Sequence, residues 1–146
     1  MKVYTKIFDE LSNAELYEIM RLRSEVFVVE QNCIYQDLDD KDQKALHVFG
    51  KKDGKVVAYT RIFKPGDYFD NPSIGRVVVA KEERKYGYGK LIMEASLKEI
   101  SKRFSNGTIE LSAQTYLIKF YTDLGFTSYG EEYLEDGIPH IRMKKA

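Results

Sequence analysis

The stretch Arg84-Lys85-Tyr86-Gly87-Tyr88-Gly89, followed by Lys90, has residue types and spacing that could do chemistry. Glycines one residue apart let a backbone come close to a ligand. Where such a turn opens a helix, its free N–H groups and the helix dipole favour an anion. Arg84, Lys85 and Lys90 add positive charge. The expected guest is a phosphate or pyrophosphate held by Arg84, Lys85, Tyr86, Gly87, Tyr88, Gly89 and Lys90. A tight turn whose glycines serve chain geometry alone fits the same residues. A dinucleotide-binding loop fits poorly: it wants G-x-G-x-x-G in an early βαβ unit, with an acidic residue about 20 positions on. Here the turn lies past the middle of the chain. A P-loop is excluded, because no G-x-x-x-x-G-K followed by Ser or Thr occurs.

The elements around the turn can be placed from periodicity. Residues 3–8 predict a first strand. Ser12 and Glu15 form a capping-box pattern, and Leu16, Ile19, Met20, Val26 and Phe27 predict a helix over about 13–27. The acidic run Asp37-Leu38-Asp39-Asp40-Lys41-Asp42 has no clean period and is most simply a solvated loop. Two strand-like runs flank Asp53-Gly54, a strong hairpin signal. A β-branched strand over 73–79 leads into the glycine turn. After the turn, Leu91, Ile92, Ala95, Ser96, Ile100 and Phe104 keep one face of a long helix apolar, and Asn106-Gly107 is expected to close it. A strand over 108–113 follows, then a short helix marked by Leu117, Phe120, Tyr121 and Leu124 and ended by Gly125. Two last strands flank Glu135-Asp136-Gly137. The order is β-α-β-β-β-α-β-α-β-β. It predicts an α/β (α+β) fold whose sheet is mostly antiparallel, with one parallel βαβ step around the turn.

Composition bounds the rest. The 146 residues predict one domain over 1–146, and 43% hydrophobic with 32% charged residues is normal for a soluble globular protein. Lys+Arg and Asp+Glu each total 23, so there is no charge footprint for nucleic acid or an anionic membrane. One cysteine, Cys33, precludes an intrachain disulfide, and with two histidines, His47 and His140, no metal site is expected. No signal-peptide pattern or membrane-length apolar run is present, so the expected location is the cytoplasm.

With these residues in hand, V-V-V-A-K-E-E-R-K-Y-G-Y-G resembles the acetyl-CoA signature of the GNAT N-acetyltransferases. That signature is Gln or Arg, two residues, Gly, one residue, then Gly or Ala, after a hydrophobic strand. Arg84, Gly87 and Gly89 fill its fixed positions. Downstream, Ala113-Gln114-Thr115-Tyr116 and F-Y-T-D-L-G-F resemble the family's second motif through Tyr121, Gly125 and Phe126; Gln114 stands where Asn is more usual. E-V-F-V-V-E-Q-N-C-I-Y-Q-D-L-D-D-K-D, I-G-R-V-V-V and E-D-G-I-P-H resemble the ElaA group within that family. The resemblance covers essentially the whole chain. It implies a GNAT-like fold with a central sheet of about six to seven strands flanked by helices.

The resemblance implies transfer of an acetyl group from acetyl-CoA, a cosubstrate, to an amine of a small molecule or peptide by direct attack within a ternary complex. The alternative is an acyl-CoA-binding regulatory or interaction module without turnover. By analogy, the backbone of Val77, Val78 and Val79 pairs with the pantetheine arm and helps hold the oxyanion, and Gln114 binds the same arm. A thiol titrates near ~8.5 and a tyrosine near ~10, so Tyr121 could protonate the departing thiolate. Its spacing from Leu124 also suits helix packing. The amine needs a base, and Glu25, Glu30, His47, Asp136 and His140 are candidates. The histidines stand first because an imidazole pKa near ~6.5 suits proton relay. His47 alternates with apolar neighbours and also suits a sheet interior. An acetyl-Cys33 route is possible in principle, but the family generally uses direct attack, which leaves Cys33 a substrate-side or packed thiol. By analogy the acidic run near the acceptor mouth could attract a cationic amine. Dimers are common in the family, so a homodimer is one expected assembly; no stretch of sequence marks an interface.

Overall fold

The computed structural model describes residues 1–104 and 107–146. Strands β1 (Lys2–Ile7), β2 (Leu46–Lys52), β3 (Lys55–Phe63), β4 (Ser73–Val79), β5 (Ile109–Gln114), β6 (Thr127–Glu135) and β7 (Ile138–Lys145) form one sheet. Its order is β1-β2-β3-β4-β5-β7-β6, and β4–β5 is the parallel step. The β2–β3 hairpin turns at Asp53 (φ 52°) and Gly54 (φ 78°). Two left-handed residues there match the twist of the flanking strands.

Helix α1 (Asn13–Arg23) starts at a reciprocal cap. Glu15 N donates to Ser12 Oγ at 3.1 Å, and Ser12 N donates to Glu15 Oε1 at 2.9 Å. The helix runs past the expected end at residue 27. Over Ser24–Glu30 it widens, and Gln31 N bonds Val26 O (3.1 Å) while Cys33 N bonds Val28 O (3.0 Å), each five residues back. The β-branched Val26, Val28 and Val29 crowd an ordinary α-turn, and the wider turn keeps the backbone bonded. Such turns are frequent at functional sites.

Helix α2 (Tyr88–Phe104) covers one face of the sheet, where Ile92, Met93 and Ile100 pack on Leu46, Ala58, Ile62, Ile74 and Leu111. The close expected at Asn106 lies outside the described residues. On the opposite face Ile19 and Leu22 of α1, with Val26 of the widened turn after it, pack on Phe49, Val56, Tyr59 and Val78. Helix α3 (Ile118–Asp123) ends at Gly125 (φ 98°), as the sequence predicts. No helix among the described residues is long and apolar enough to cross a membrane.

The expectation of a solvated acidic loop at 37–42 is not met. Asp37 and Asp42 are buried, and so is Arg23, at 0% exposure on α1. Arg23 Nε donates to Asp37 Oδ2 at 2.9 Å and Nη1 to Asp42 Oδ1 at 2.7 Å. Arg61 from β3 grips Asp39 through two 2.8 Å bonds and meets Asp42 at 3.0 Å. Arg76 from β4 reaches Asp37 Oδ1 at 2.8 Å. Buried carboxylates survive only with such partners. The partners come from three distant elements, so the loop's local composition could not reveal them.

Candidate functional site

The site begins with a split in the sheet. β4 and β5 pair only at Ser73↔Glu110 and then diverge, leaving the β5-facing edge of Val77–Val79 without a strand partner. On its other edge β4 stays paired, Val78 with Tyr59 and Val79 with Ala58. One extra residue sits in β4 between the Gly75 and Val78 pairings, and Arg76 there takes φ 50°. This bulge bends the strand as it enters the split. Side chains of Val77 and Val79 pack toward the α2 face and Val78 toward the α1 face.

The glycine turn closes the far end of the split. Residues Lys81–Tyr86 form a tight helical turn, Gly87 is left-handed at φ 73°, and α2 starts at Tyr88. The first N–H groups of a helix have no partner within it, so Tyr88, Gly89 and Lys90 offer amide donors at the positive end of α2. A side chain at Gly89 would meet the Phe120 ring at 3.4 Å and Val79 at 3.8 Å. These are ordinary packing distances, so turn, strand and α3 lie close together at this point.

A cavity of about 450 Å³ fills the split. Val77, Val78, Val79, Arg84, Gly87, Gly89, Lys90, Gln114 and Tyr121 all border it. Lys85, Tyr86 and Tyr88 do not: Lys85 lies 5.3 Å from the Tyr86 ring, Lys52 covers that ring at 4.2 Å, and Tyr88 packs against both apolar clusters. The tight turn rotates these side chains away from the cavity. Arg84 spans the mouth. It donates to Glu30 at 2.7 and 2.9 Å and through Nε to Val79 O at 3.1 Å.

A second chamber of about 100 Å³ adjoins the first, and Tyr121, Gln114, Gln31, Phe27, Val77 and Leu117 form the shared wall. Tyr121 is 4% exposed. Burial, with Tyr116 nearby, pushes its phenol well above the ordinary tyrosine value. No hydrogen bond engages its hydroxyl among the described residues. It is a buried phenol between two cavities. Gln114 and Gln31 face each other through amide contacts of 3.3 and 3.4 Å.

His140 also lines the second chamber. Its Nδ1 lies 2.7 Å from Ile138 O, its Nε2 lies 3.3 Å from Glu135 Oε2, and its ring stacks on Tyr133. With Nδ1 donating to the carbonyl, Nε2 is the nitrogen free to exchange a proton. Asp136 and Cys33 line the same chamber, and Cys33 Sγ donates to Asp136 O at 3.3 Å.

His47 lies elsewhere. It is fully buried between Tyr59 OH (2.6 Å from Nδ1) and Asp42 O (2.9 Å from Nε2), and borders neither cavity. Burial lowers its pKa, against the Asp42 carbonyl. This is the sheet-interior alternative that its apolar neighbours suggested. Glu25 pairs with Arg21 at 3.5 Å on the exposed side of the helix, outside both cavities. Glu30 reaches the larger cavity only as the partner of Arg84. Among the described residues, no group of three His, Cys, Asp or Glu could hold a metal.

Sequence reading missed Gln31, Tyr35, Ser112 and Glu135, all bordering the second chamber. Gln31 arrives there because the helix widens. Tyr35 is held by the buried ion cluster, its hydroxyl donating to Asp37 Oδ1 at 2.9 Å. Neither effect has a local signal. Ser112 and Glu135 had a weak one: Ser112 shares a sheet face with Gln114, and Glu135 stands in the last hairpin beside His140.

A split parallel pair facing a glycine-rich helix start defines the GNAT class of acyltransferase fold. Comparison with known proteins agrees. Residues 9–146 match the family model described as an acetyltransferase (GNAT) domain. Protein ElaA of Escherichia coli K12 is 41% identical over 138 residues, spanning 93% of this chain and 90% of that protein. The crystal structure of E. coli ElaA superposes with a TM-score of 0.92, at 37% identity and full coverage of both chains. An acyl-CoA N-acyltransferase from Pseudomonas aeruginosa superposes with a TM-score of 0.94, at 38% identity and full coverage of both. The chain belongs to the GNAT acetyltransferase family, within its ElaA-like group.

Proposed function

We propose that this acyltransferase moves an acetyl group from acetyl-CoA to an amine of a small molecule or peptide, by direct attack within a ternary complex. The observation that carries the reading is the Tyr121 hydroxyl, unpartnered in the wall between the two cavities. One cavity has an unpaired strand edge and amide donors. The other has a histidine and a carboxylate.

The residues of the larger cavity suit coenzyme A. The free edge of Val77, Val78 and Val79 can pair with the amides of the pantetheine arm, and Gln114 with Gln31 adds side-chain amides. The amides at Gly87, Gly89 and Lys90, with the charges of Arg84 and Lys90, suit the pyrophosphate. Lys85, Tyr86 and Tyr88 act through backbone or long-range charge. The cosubstrate supplies an acetyl group activated as a thioester. The strand amides stabilise charge on its carbonyl oxygen. His140 Nε2, with Glu135 beside it, takes the proton of the attacking amine. As the C–N bond forms and the C–S bond breaks, Tyr121 gives its proton to sulfur. Burial that raises the phenol also raises the thiol forming beside it. The single thiol and balanced charge suit a cytoplasmic enzyme.

Calorimetric titration with acetyl-CoA, desulfo-CoA and ATP tests the donor side. Micromolar binding of the CoA compounds alone is expected; no CoA binding would sink the proposal. Mass analysis after incubation with acetyl-CoA and an amine panel then tests transfer.

A further inference from the structure

The acceptor chamber continues into a small cavity of about 60 Å³ on the same sheet face, across Gly75, Arg76, Ser112 and Glu135. By this measure a water needs roughly 10–15 Å³, so the space suits a carboxylate and one or two carbons. Its floor is Gly75. Nothing lies within 4 Å of where a side chain there would sit. Arg61 stands directly opposite Gly75 across β3–β4, and Ser73 stands opposite Phe63. Cross-strand partners share a face, so Arg61, Ser73 and Phe63 border the space above the glycine. Phe69 and Tyr68 complete an aromatic side.

Two polar groups at this cavity are unused. Arg61 is 1% exposed and Ser73 is 2% exposed. Arg61 Nε and Ser73 Oγ are buried, and neither has a hydrogen-bond partner among the described residues. A buried donor without a partner is costly. Asp39 and Asp42 bind the Nη ends of Arg61 and hold it in place. Nε–H is left without a partner. A rigid charge-assisted N–H beside a hydroxyl suits a carboxylate oxygen. Of the two acidic residues of the chamber, Glu135 and Asp136, Glu135 stands with His140, where an amine would sit.

We propose that the cavity over Gly75 is a carboxylate subsite, so that the acceptor is an amine that also carries a carboxylate, as a free amino acid does. The inference rests on the transfer reading above for the placement of the amine. Arg61 Nε and Ser73 Oγ take the carboxylate, and the side chain or its stem lies against Phe63 and Phe69.

The test uses free amino acids with neutral, acidic and aromatic side chains. Each is compared with its α-amide and its decarboxylated amine. Calorimetric binding to the desulfo-CoA complex and transfer from acetyl-CoA are both measured, for the wild type, Gly75→Val and Ser73→Ala. At least one acid should bind roughly ten- to a hundredfold more tightly than its amide, the scale of one unsatisfied buried donor. Gly75→Val should abolish that preference by filling the space, and Ser73→Ala should weaken it in a variant that alters no backbone. CoA affinity should be unchanged in both. If no acid is preferred, or if Gly75→Val and Ser73→Ala leave the preference intact, the subsite is wrong. Transfer to amines without a carboxylate preference overturns the subsite alone. Selective binding of acids without transfer supports the subsite and overturns the transfer reading.

Discussion

The two cavities that meet at Tyr121 are built differently. The donor side is made of backbone: the unpaired edge of Val77–Val79, a left-handed Gly87, and the first amides of α2. The acceptor side is made of side chains, brought from the widened end of the first helix, the 31–42 loop, β4, β5 and the last hairpin. Backbone recognition depends on where a strand ends and a helix begins. It tolerates changes in most side chains. The acceptor side depends on a loop that cannot stand alone, because its acidic residues need Arg23, Arg61 and Arg76. Under the proposed function, the half that would bind the cosubstrate can stay fixed while the other half is free to change its guest.

The contrast breaks most visibly at Arg23. Arg23→Met keeps much of the volume and leaves Asp37 and Asp42 buried without their central partner. A loss of about 3–5 kcal/mol is expected, read as a lower denaturation midpoint. Arg84→Met on the donor side removes an ion pair whose arginine is 43% exposed and should cost under about 1 kcal/mol. Equal losses would mean that the ion cluster is not what holds the acceptor wall. Next in size is Tyr121→Phe. The phenol has no hydrogen-bond partner to lose among the described residues, so stability and CoA affinity should hold. Turnover should fall roughly a hundredfold or more. Unchanged turnover would refute the acid role and favour a binding module.

A third effect follows from Asp39. Burial alone would raise its carboxyl; hydrogen bonds and charge from Arg61, with Arg76, hold it down to about 2. Its folded pKa therefore lies below the ordinary value of 3.8. The stability this contributes is full above that ordinary value and is lost as pH falls through about 2. The shift corresponds to about 2 kcal/mol. Comparing wild type with Asp39→Asn by urea unfolding between pH 2 and 6 should show the gap between them closing toward the acid end. A gap that stays constant would show that the ion pair does not set the acid stability of this wall.

The same division explains what the sequence revealed. The glycine turn, the Asp53-Gly54 hairpin and the Ser12–Glu15 cap are local devices, and local letters predict them. All seven strands emerged in order for that reason. Arg84, Gly87 and Gly89 lie within a few positions of one another, and all three border the larger cavity. Lys85, Tyr86 and Tyr88 were swept in with them, because letters do not show which way a tight turn rotates its side chains. The ion cluster behind the acceptor side is assembled by pairings over 14 to 39 residues, such as Arg23 with Asp37 and Arg76 with Asp37. An acidic run looks solvated until its buried arginines are placed. His47 and His140 had similar surroundings in sequence. The sheet order separates them: β7 pairs with β5 at the split and sets His140 opposite Gln114, whereas β3 lies between β2 and β4.

The smallest effect tests the point where the two halves touch. Arg84 is fixed to Glu30, which belongs to the widened helix that also carries Phe27 and Gln31 to the acceptor side. A guanidinium held by a carboxylate is less available to a pyrophosphate, and separating the two costs part of any CoA binding energy. Glu30→Gln keeps the shape and removes the charge. A pair this exposed is worth under about 1 kcal/mol, so CoA should bind roughly two- to fivefold more tightly to the variant. The gain should shrink at high salt, where exposed charges are screened. If Glu30→Gln instead weakens CoA binding, Glu30 is orienting Arg84 for the cosubstrate. The donor side would then depend on a side chain of the acceptor wall, and the independence of the two halves would fail at this residue.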